Sequence, residues 1–118
     1  MSKPTIDEKV LKQFIGTQNY FNVMGVNVTD GVKYIMDNGA SWLVTDIIAW
    51  QIKPRIKILP YQTWKLKVNL EDHTAELTMQ EDTGKPILVR QHYEYTDFPL
   101  KEITLWIENR VLILPSEH

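Results

Sequence analysis

The sequence predicts an α+β fold in which about three N-terminal helices pack on one face of a four- or five-stranded antiparallel meander. Up to about residue 53, apolar residues recur at the spacing of one helix face. After about residue 62 they alternate with polar residues, as in strands that bury one face. Short turn-forming segments separate the alternating runs, which is typical of a meander. Helices followed by strands indicate an α+β arrangement.

Composition limits the class of protein. The chain has 118 residues, 43% hydrophobic and 24% charged, which predicts one globular domain over residues 1–118. It has no cysteine, which excludes disulfides, thiolate nucleophiles and cysteine metal sites. No apolar run is long enough for a signal peptide or a membrane span, and we therefore expect a cytoplasmic protein without a membrane partner.

The charges are nearly balanced. The net charge is −2 and the isoelectric point is about 5.9, so the whole chain does not attract nucleic acid or anionic lipid. Residues 1–62 hold seven Lys and Arg against five Asp and Glu, and residues 63–118 hold six against ten. This asymmetry is mild and identifies no partner by itself.

Three helices are predicted in the first half of the chain. TIDEKVLKQF forms the first, and NYFNVMGVNV after it can be a short strand or a hairpin around Gly25. TDGVKYIMDNG forms the second, capped by Thr29 or Asp30 and ended by Asn38-Gly39. SWLVTDIIAWQIK forms a third helix that is apolar nearly all round, which predicts a buried central helix. KPRIKILPYQ is interpreted as a linker.

The second half reads as strands. TWKLKVN, TAELTMQ, ILVRQHYEY, ITLWIE and VLIL alternate between apolar and polar positions, and LEDH, EDTGK and NR are turn candidates between them. In ITLWIE, we expect Ile103, Leu105 and Ile107 to face the helices. The apolar density of residues 98–114 therefore predicts that this segment belongs to the core and that deletion of residues 111–118 abolishes folding.

A second set of apolar side chains has the opposite parity. If alternation continues through VLIL, Trp106, Leu112 and Leu114 face away from the helices and join Leu88 on the open face of the sheet. Such a patch predicts a protein interface, covered by a homodimer partner or by another protein.

Several fragments carry a family resemblance. FIGTQNYF, TDGVKYIMDNGASWLVTDI, QTWKLKVN and YTDFPLKEITLWIENRVLILPSE resemble a small uncharacterised bacterial domain family of unknown function, over most of the chain from about Phe14 to Glu117. The resemblance implies occurrence on phages and plasmids as well as in bacterial genomes. It implies no catalytic residue.

No motif indicates an enzyme. The three histidines, His73, His92 and His118, have no ligand spacing, so we expect no metal site and no cofactor. No serine lies in a nucleophile elbow and no glycine-rich phosphate loop occurs. Asp46 is the one charge in the apolar third helix, and it is either a tuned acid in a pocket or a structural or solvated carboxylate.

These observations leave two candidate functions. The first is a non-enzymatic binding module that acts through protein–protein contacts, and the resemblance favours a phage or plasmid protein that modulates or inhibits a host system such as a bacterial defence system. The alternative is a nucleic-acid-binding module that uses Lys53, Arg55 and Lys57 with aromatic side chains of the sheet, or these three cations belong to a solvated linker.

Overall fold

The computed structural model describes residues 5–118, which form a seven-stranded mixed sheet and one substantial helical segment over residues 30–50. The strands are β1 (Tyr20–Val23), β2 (Val26–Thr29), β3 (Tyr61–Asn69), β4 (Thr74–Gln80), β5 (Ile87–Tyr93), β6 (Glu102–Glu108) and β7 (Val111–Ile113). The helices are α1 (Glu8–Leu11), α2 (Asp30–Ile35), α3 (Ser41–Trp50) and α4 (Pro54–Lys57). A kinked turn at Met36–Ala40 joins α2 to α3, and a 3₁₀ turn follows β7 at Pro115–Glu117.

The strand order is β1-β2-β7-β6-β3-β4-β5. Neighbouring strands are antiparallel except for β2 and β7, which run parallel. The parallel pair attaches the N-terminal β1–β2 hairpin to the antiparallel strands of the second half.

The predicted fold class is therefore wrong. The first predicted helix is a single turn, α1, which has no fully buried residue of its own. Leu11 and Phe14 of that segment pack against the core only in part, and an isolated helix this short is marginal. The segment around Gly25, for which a strand or a hairpin was predicted, forms the β1–β2 hairpin and extends the sheet to seven strands. The predicted linker contains α4, whose first residue is Pro54 and whose Ile56 is buried.

The core lies between the helices and one face of the sheet, here called the inner face. The alternation predicted for β3, β4 and β6 is confirmed, since Trp64, Leu77 and Leu105 are at most 1% exposed. The apolar third helix is also confirmed as α3. It contributes four buried side chains to the core: Leu43, Val44, Ile47 and Ile48.

The α2 helix is capped from a distant part of the chain. The Thr29 hydroxyl, predicted to cap this helix, instead donates a hydrogen bond of 2.6 Å to the Glu117 carboxylate. The same carboxylate accepts from the backbone N–H of Gly31 at 3.0 Å, so it satisfies a free donor in the first turn of α2. α2 itself ends at Ile35, before the predicted Asn38-Gly39 stop. The helical segment is broken at those two residues, inside the kinked turn, where the φ of +107° at Gly39 suits a residue without Cβ.

Strand β7 faces the core differently from the prediction. Asn109 and Arg110 form a two-residue turn, so Ile107 is opposite Leu112 and Trp106 is opposite Ile113. A two-residue turn places odd-numbered residues of one strand opposite even-numbered residues of the next, which reverses the assumed parity. Leu112 is therefore fully buried on the inner face beside Ile107.

Candidate protein-binding surface

The four residues predicted as an interface do not form one patch. Leu112 and Leu114 are 0% and 3% exposed and belong to the core. Trp106 lies half-buried on the outer face of β6, and Leu88 lies exposed on β5. Because β3 and β4 separate these two strands, Trp106 and Leu88 are about 14 Å apart at a strand spacing of about 4.8 Å.

The outer face of the sheet is mainly polar. Lys65 pairs with Glu102 at 3.5 Å, and Arg90 pairs with Glu76 across β4 and β5. The indole of Trp106 is covered in part by the His118 ring, which meets it edge-on with centroids 5.5 Å apart. Within the described residues, this face therefore resembles a solvated sheet surface rather than the apolar patch that the sequence predicted.

The three histidines lie in different elements and have different neighbours. His73 adopts a positive φ of 60° in the β3–β4 turn, His92 is exposed on β5, and His118 contacts Glu108 at 2.9 Å. In residues 5–118, no group of three or more His, Asp or Glu side chains is placed to hold a metal ion.

Asp46 has a structural partner. The Tyr93 hydroxyl donates a hydrogen bond of 2.7 Å to this half-buried carboxylate, and the Trp50 indole N–H donates one of 2.9 Å to Gln91. Burial first, and then the bond to Asp46 and its negative charge, raise the pKa of Tyr93 above its usual value of 10.0. These contacts fasten α3 to the edge strand β5, which is the structural interpretation of Asp46.

One end of the sheet gathers three connections. Because β2 and β7 are parallel, the turns that precede them, Met24-Gly25 and Asn109-Arg110, lie at the same end. The start of β3 is there too, since Tyr61 is opposite Glu108. The backbone N–H of Asn109 donates to the carbonyl of Pro60 at 2.8 Å, and the Arg110 guanidinium donates to the carbonyl of Gly25 at 3.2 Å.

Two residues at this end are unfavourable for their turns. Both turns contain two consecutive residues with positive φ: 49° and 87° at Met24-Gly25, and 49° and 68° at Asn109-Arg110. Asn and Gly are the preferred residues at such positions because a Cβ crowds the left-handed backbone. Met24 and Arg110 therefore cost stability where Asn and Gly would not, which is a pattern expected at functional sites.

The same end carries apolar side chains in solvent. Ile58, Tyr61 and Met24 are 78%, 55% and 65% exposed there, and Ile52, which lies just before α4 in the chain, is 82% exposed. Three exposed cations are interspersed with them along the chain: Lys53, Arg55 and Lys57. Residues 52–61 contain no Asp or Glu. We call this region the loop-end surface, and its members are Met24, Ile52, Lys53, Arg55, Lys57, Ile58, Tyr61 and Arg110.

A recess opens into the loop-end surface. Its volume is about 340 Å³, and Lys57, Ile58 and Arg110 form part of its lining. Two buried glutamines lie at its base, Gln51 and Gln62, which exchange side-chain hydrogen bonds of 2.8 and 2.9 Å. The recess is therefore apolar and cationic at the rim and polar at the base.

The loop that carries Ile58 is held in place by hydrogen bonds from the buried Gln62 side chain. The Gln62 amide N–H₂ donates to the carbonyls of Ile56 and Leu59 at 3.0 and 3.1 Å, and its oxygen accepts from the Trp64 indole at 2.9 Å. A loop fixed by buried hydrogen bonds loses little conformational entropy when it binds a partner. The exposed position of Ile58 is thus built into the fold.

Sequence reasoning found part of this surface. It singled out Lys53, Arg55 and Lys57. It placed Ile52 in the apolar third helix, and it interpreted Ile58 and Tyr61 as parts of a linker. The signal that could have identified Ile58 is the run of large apolar residues between Pro54 and Tyr61 without an acidic residue. Met24 and Arg110 join them only through the parallel pairing of β2 and β7, which no local pattern reveals.

A family comparison extends over nearly the whole chain. A family of unknown function, DUF6876, has a sequence model that matches residues 5–118. The chain belongs to this family. No curated protein and no solved structure shows significant similarity to it. In the part of the chain that the structure describes, no helix is both long enough and apolar enough to cross a membrane.

Proposed function

We propose that this member of DUF6876 is a non-enzymatic binding module that acts through protein–protein contacts at the loop-end surface. The observation that carries the proposal is the 78% exposure of Ile58 on a loop held in place by buried hydrogen bonds, with Ile52, 82% exposed, six residues before it in the chain. Apolar side chains on a preorganised surface are typical of interface anchors.

A pull-down with paired variants tests the proposal. Ile52→Ser and Ile58→Ser together should remove the partner captured from a lysate of the source cells. Ile15→Ser is the matched control, because Ile15 is 83% exposed and lies outside this surface. If the double variant retains every protein that wild type captures, the loop-end surface is not the binding site.

The cellular setting is proposed on the resemblance alone. We propose a cytoplasmic protein carried by phages or plasmids that modulates or inhibits a host system such as a bacterial defence system. Small proteins of mobile elements often act by binding a host protein, which agrees with a binding surface and no enzyme motif. Genome neighbourhood across the family tests this setting directly.

Nucleic-acid binding is the second candidate function. Lys53, Arg55, Lys57 and Arg110 lie at one end of the molecule beside the exposed Tyr61, which a base could stack on. Four cations release few counterions, so we expect no dissociation constant tighter than roughly micromolar at physiological salt. Fluorescence anisotropy with single- and double-stranded probes measures this. Nanomolar, salt-sensitive binding lost on Lys53→Ala, Arg55→Ala and Lys57→Ala would favour this function.

The homodimer predicted from the open sheet face loses part of its basis, because Leu112 and Leu114 are buried. Light scattering of wild type and Trp106→Glu tests self-association through Trp106. A dimer that dissociates on Trp106→Glu would restore the predicted interface on the outer face.

A further inference from the structure

We infer that the partner of the loop-end surface is an acidic protein segment that places apolar side chains on Ile52 and Ile58 and a carboxylate at the rim of the recess. This inference rests on the proposed function and specifies the chemistry of the partner.

The charge of the surface selects an acidic partner. Lys57 and Arg110 line the same recess, and Lys53 and Arg55 adjoin it along the chain, whereas residues 52–61 hold no acid. The Lys53 ammonium lies 5.6 Å from the centre of the Trp50 ring, which orients it without neutralising its charge. Acids border this surface beside Tyr61, where Glu81, Asp82 and Glu108 line a neighbouring recess with it. Within the described residues, the four cations of the loop-end surface form no ion pair with these acids, so they are available to carboxylates of a partner.

The apolar side chains favour a protein over a phosphate backbone. A site that serves only to hold phosphates gains nothing from Ile52 and Ile58 in solvent, since phosphate contacts come from cations and polar donors. Mixed apolar anchors and cations around a concave recess suit a segment that carries both apolar and acidic side chains. The recess of about 340 Å³ can receive a side chain of that segment.

Arg110 supplies an independent observation. It adopts φ of 68° at a position where Gly is the favoured residue, so a side chain at this position costs backbone free energy. Its single hydrogen bond to the carbonyl of Gly25, at 3.2 Å, leaves most of its guanidinium donors for another acceptor at the recess. A bidentate pair with a carboxylate of the partner is the interaction that this geometry provides.

A peptide-display selection tests the inference. A random dodecapeptide library is selected on wild-type protein, and the recovered peptides are measured against variants. We expect peptides of net negative charge with two or more large apolar residues. Each should bind at least tenfold more weakly to Lys57→Gln with Arg110→Gly, and to Ile58→Ser. Binding should be unchanged for the controls Lys12→Gln and Ile15→Ser, which alter exposed residues elsewhere.

Other outcomes overturn the inference. Peptides without acidic enrichment, or peptides that bind the variants as well as wild type, would contradict an acidic partner. Tighter binding of a dT₂₀ oligonucleotide, of phosphatidylglycerol vesicles or of a second copy of the chain would assign the surface to another occupant. If these results occur while Ile52→Ser with Ile58→Ser still loses its lysate partner, the acidic partner fails and the proposed function stands. If neither experiment responds to the loop-end variants, both fail.

Discussion

The sheet around β7 and the loop-end surface lie next to each other but differ in side-chain burial and in backbone conformation. Leu112 is fully buried between β2 and β6, and Leu114 packs over Gly31, where an added Cβ would lie 2.5 Å from the Leu114 side chain. At the loop-end surface, Ile58 is 78% exposed and Arg110 occupies a left-handed turn position. The contacts of the first region stabilise the folded state. The second region leaves apolar area in solvent and holds a residue other than glycine at positive φ, both of which lower stability. This difference separates residues needed for folding from residues available for binding.

Deletion of residues 111–118 should have the largest effect on stability. It removes β7, which is the only link in the sheet between β2 and β6 in the described residues, and it removes the Glu117 cap of α2. We expect loss of the cooperative melting transition, as measured by far-ultraviolet circular dichroism. A truncated chain with an unchanged melting temperature would contradict the role assigned to β7.

Leu112→Ala should destabilise the protein more than truncation of an exposed leucine does. Truncation of a fully buried Leu costs about 2–5 kcal/mol of unfolding free energy, because it loses contacts and leaves a cavity. The control is Leu88→Ala on β5, where the side chain is 38% exposed and the cost should be below about 1 kcal/mol. Urea unfolding measures the loss of unfolding free energy for both variants. Equal losses would contradict the burial of Leu112 on the inner face.

Alkaline pH should weaken the contact between α3 and β5. Because the pKa of Tyr93 is raised in the folded state, its stabilisation is fully present below pH 10 and is lost as the pH rises above it. Wild type should lose stability faster than Tyr93→Phe between pH 10 and pH 11.5. The difference cannot exceed about 1.4 kcal/mol per pH unit, which is the limit for the release of one proton. It falls below that limit because the side chain is only half-buried. Parallel urea-unfolding curves at each pH measure it, and identical slopes for the two proteins would contradict the assignment.

Substitutions of Arg110 should have the smallest effect on stability, in contrast to the deletion of β7. Arg110→Gly and Arg110→Ala lose the same guanidinium, but only Ala keeps a Cβ in the left-handed backbone. We expect Arg110→Gly to be more stable than Arg110→Ala by about 1 kcal/mol. Thermal unfolding of the two variants measures the difference. Equal stabilities would mean that the turn imposes no backbone cost.

The sequence predicted the elements whose causes are local. The alternation of β3, β4 and β6, the apolar α3 and the break in the helical segment at Asn38-Gly39 all follow from spacing and turn chemistry. The face of Leu112 was wrong because parity was carried through the Asn109-Arg110 turn, where a two-residue connection reverses it.

The rest of the fold depends on contacts between distant residues. The parallel pairing of β2 with β7 and the capping of α2 by Glu117 join residues more than 80 positions apart, and no local pattern encodes them. The loop-end surface depends on the first of these contacts. Lys53, Arg55 and Lys57 were singled out as an alternative nucleic-acid contact, but Arg110 was not. The apolar residues were also missed, because exposure of Ile52 and Ile58 contradicts what an apolar side chain indicates in a sequence.

Site-specific photo-crosslinking tests the central claim most directly. A photoreactive phenylalanine derivative placed at position 58, in otherwise wild-type protein expressed in the source cells, should form one dominant covalent adduct with another protein. The same residue at position 15, which is equally exposed, should form none of that adduct. Adducts of the same identity and yield at both positions, or no protein adduct at position 58, would contradict the assignment of the loop-end surface as the binding site.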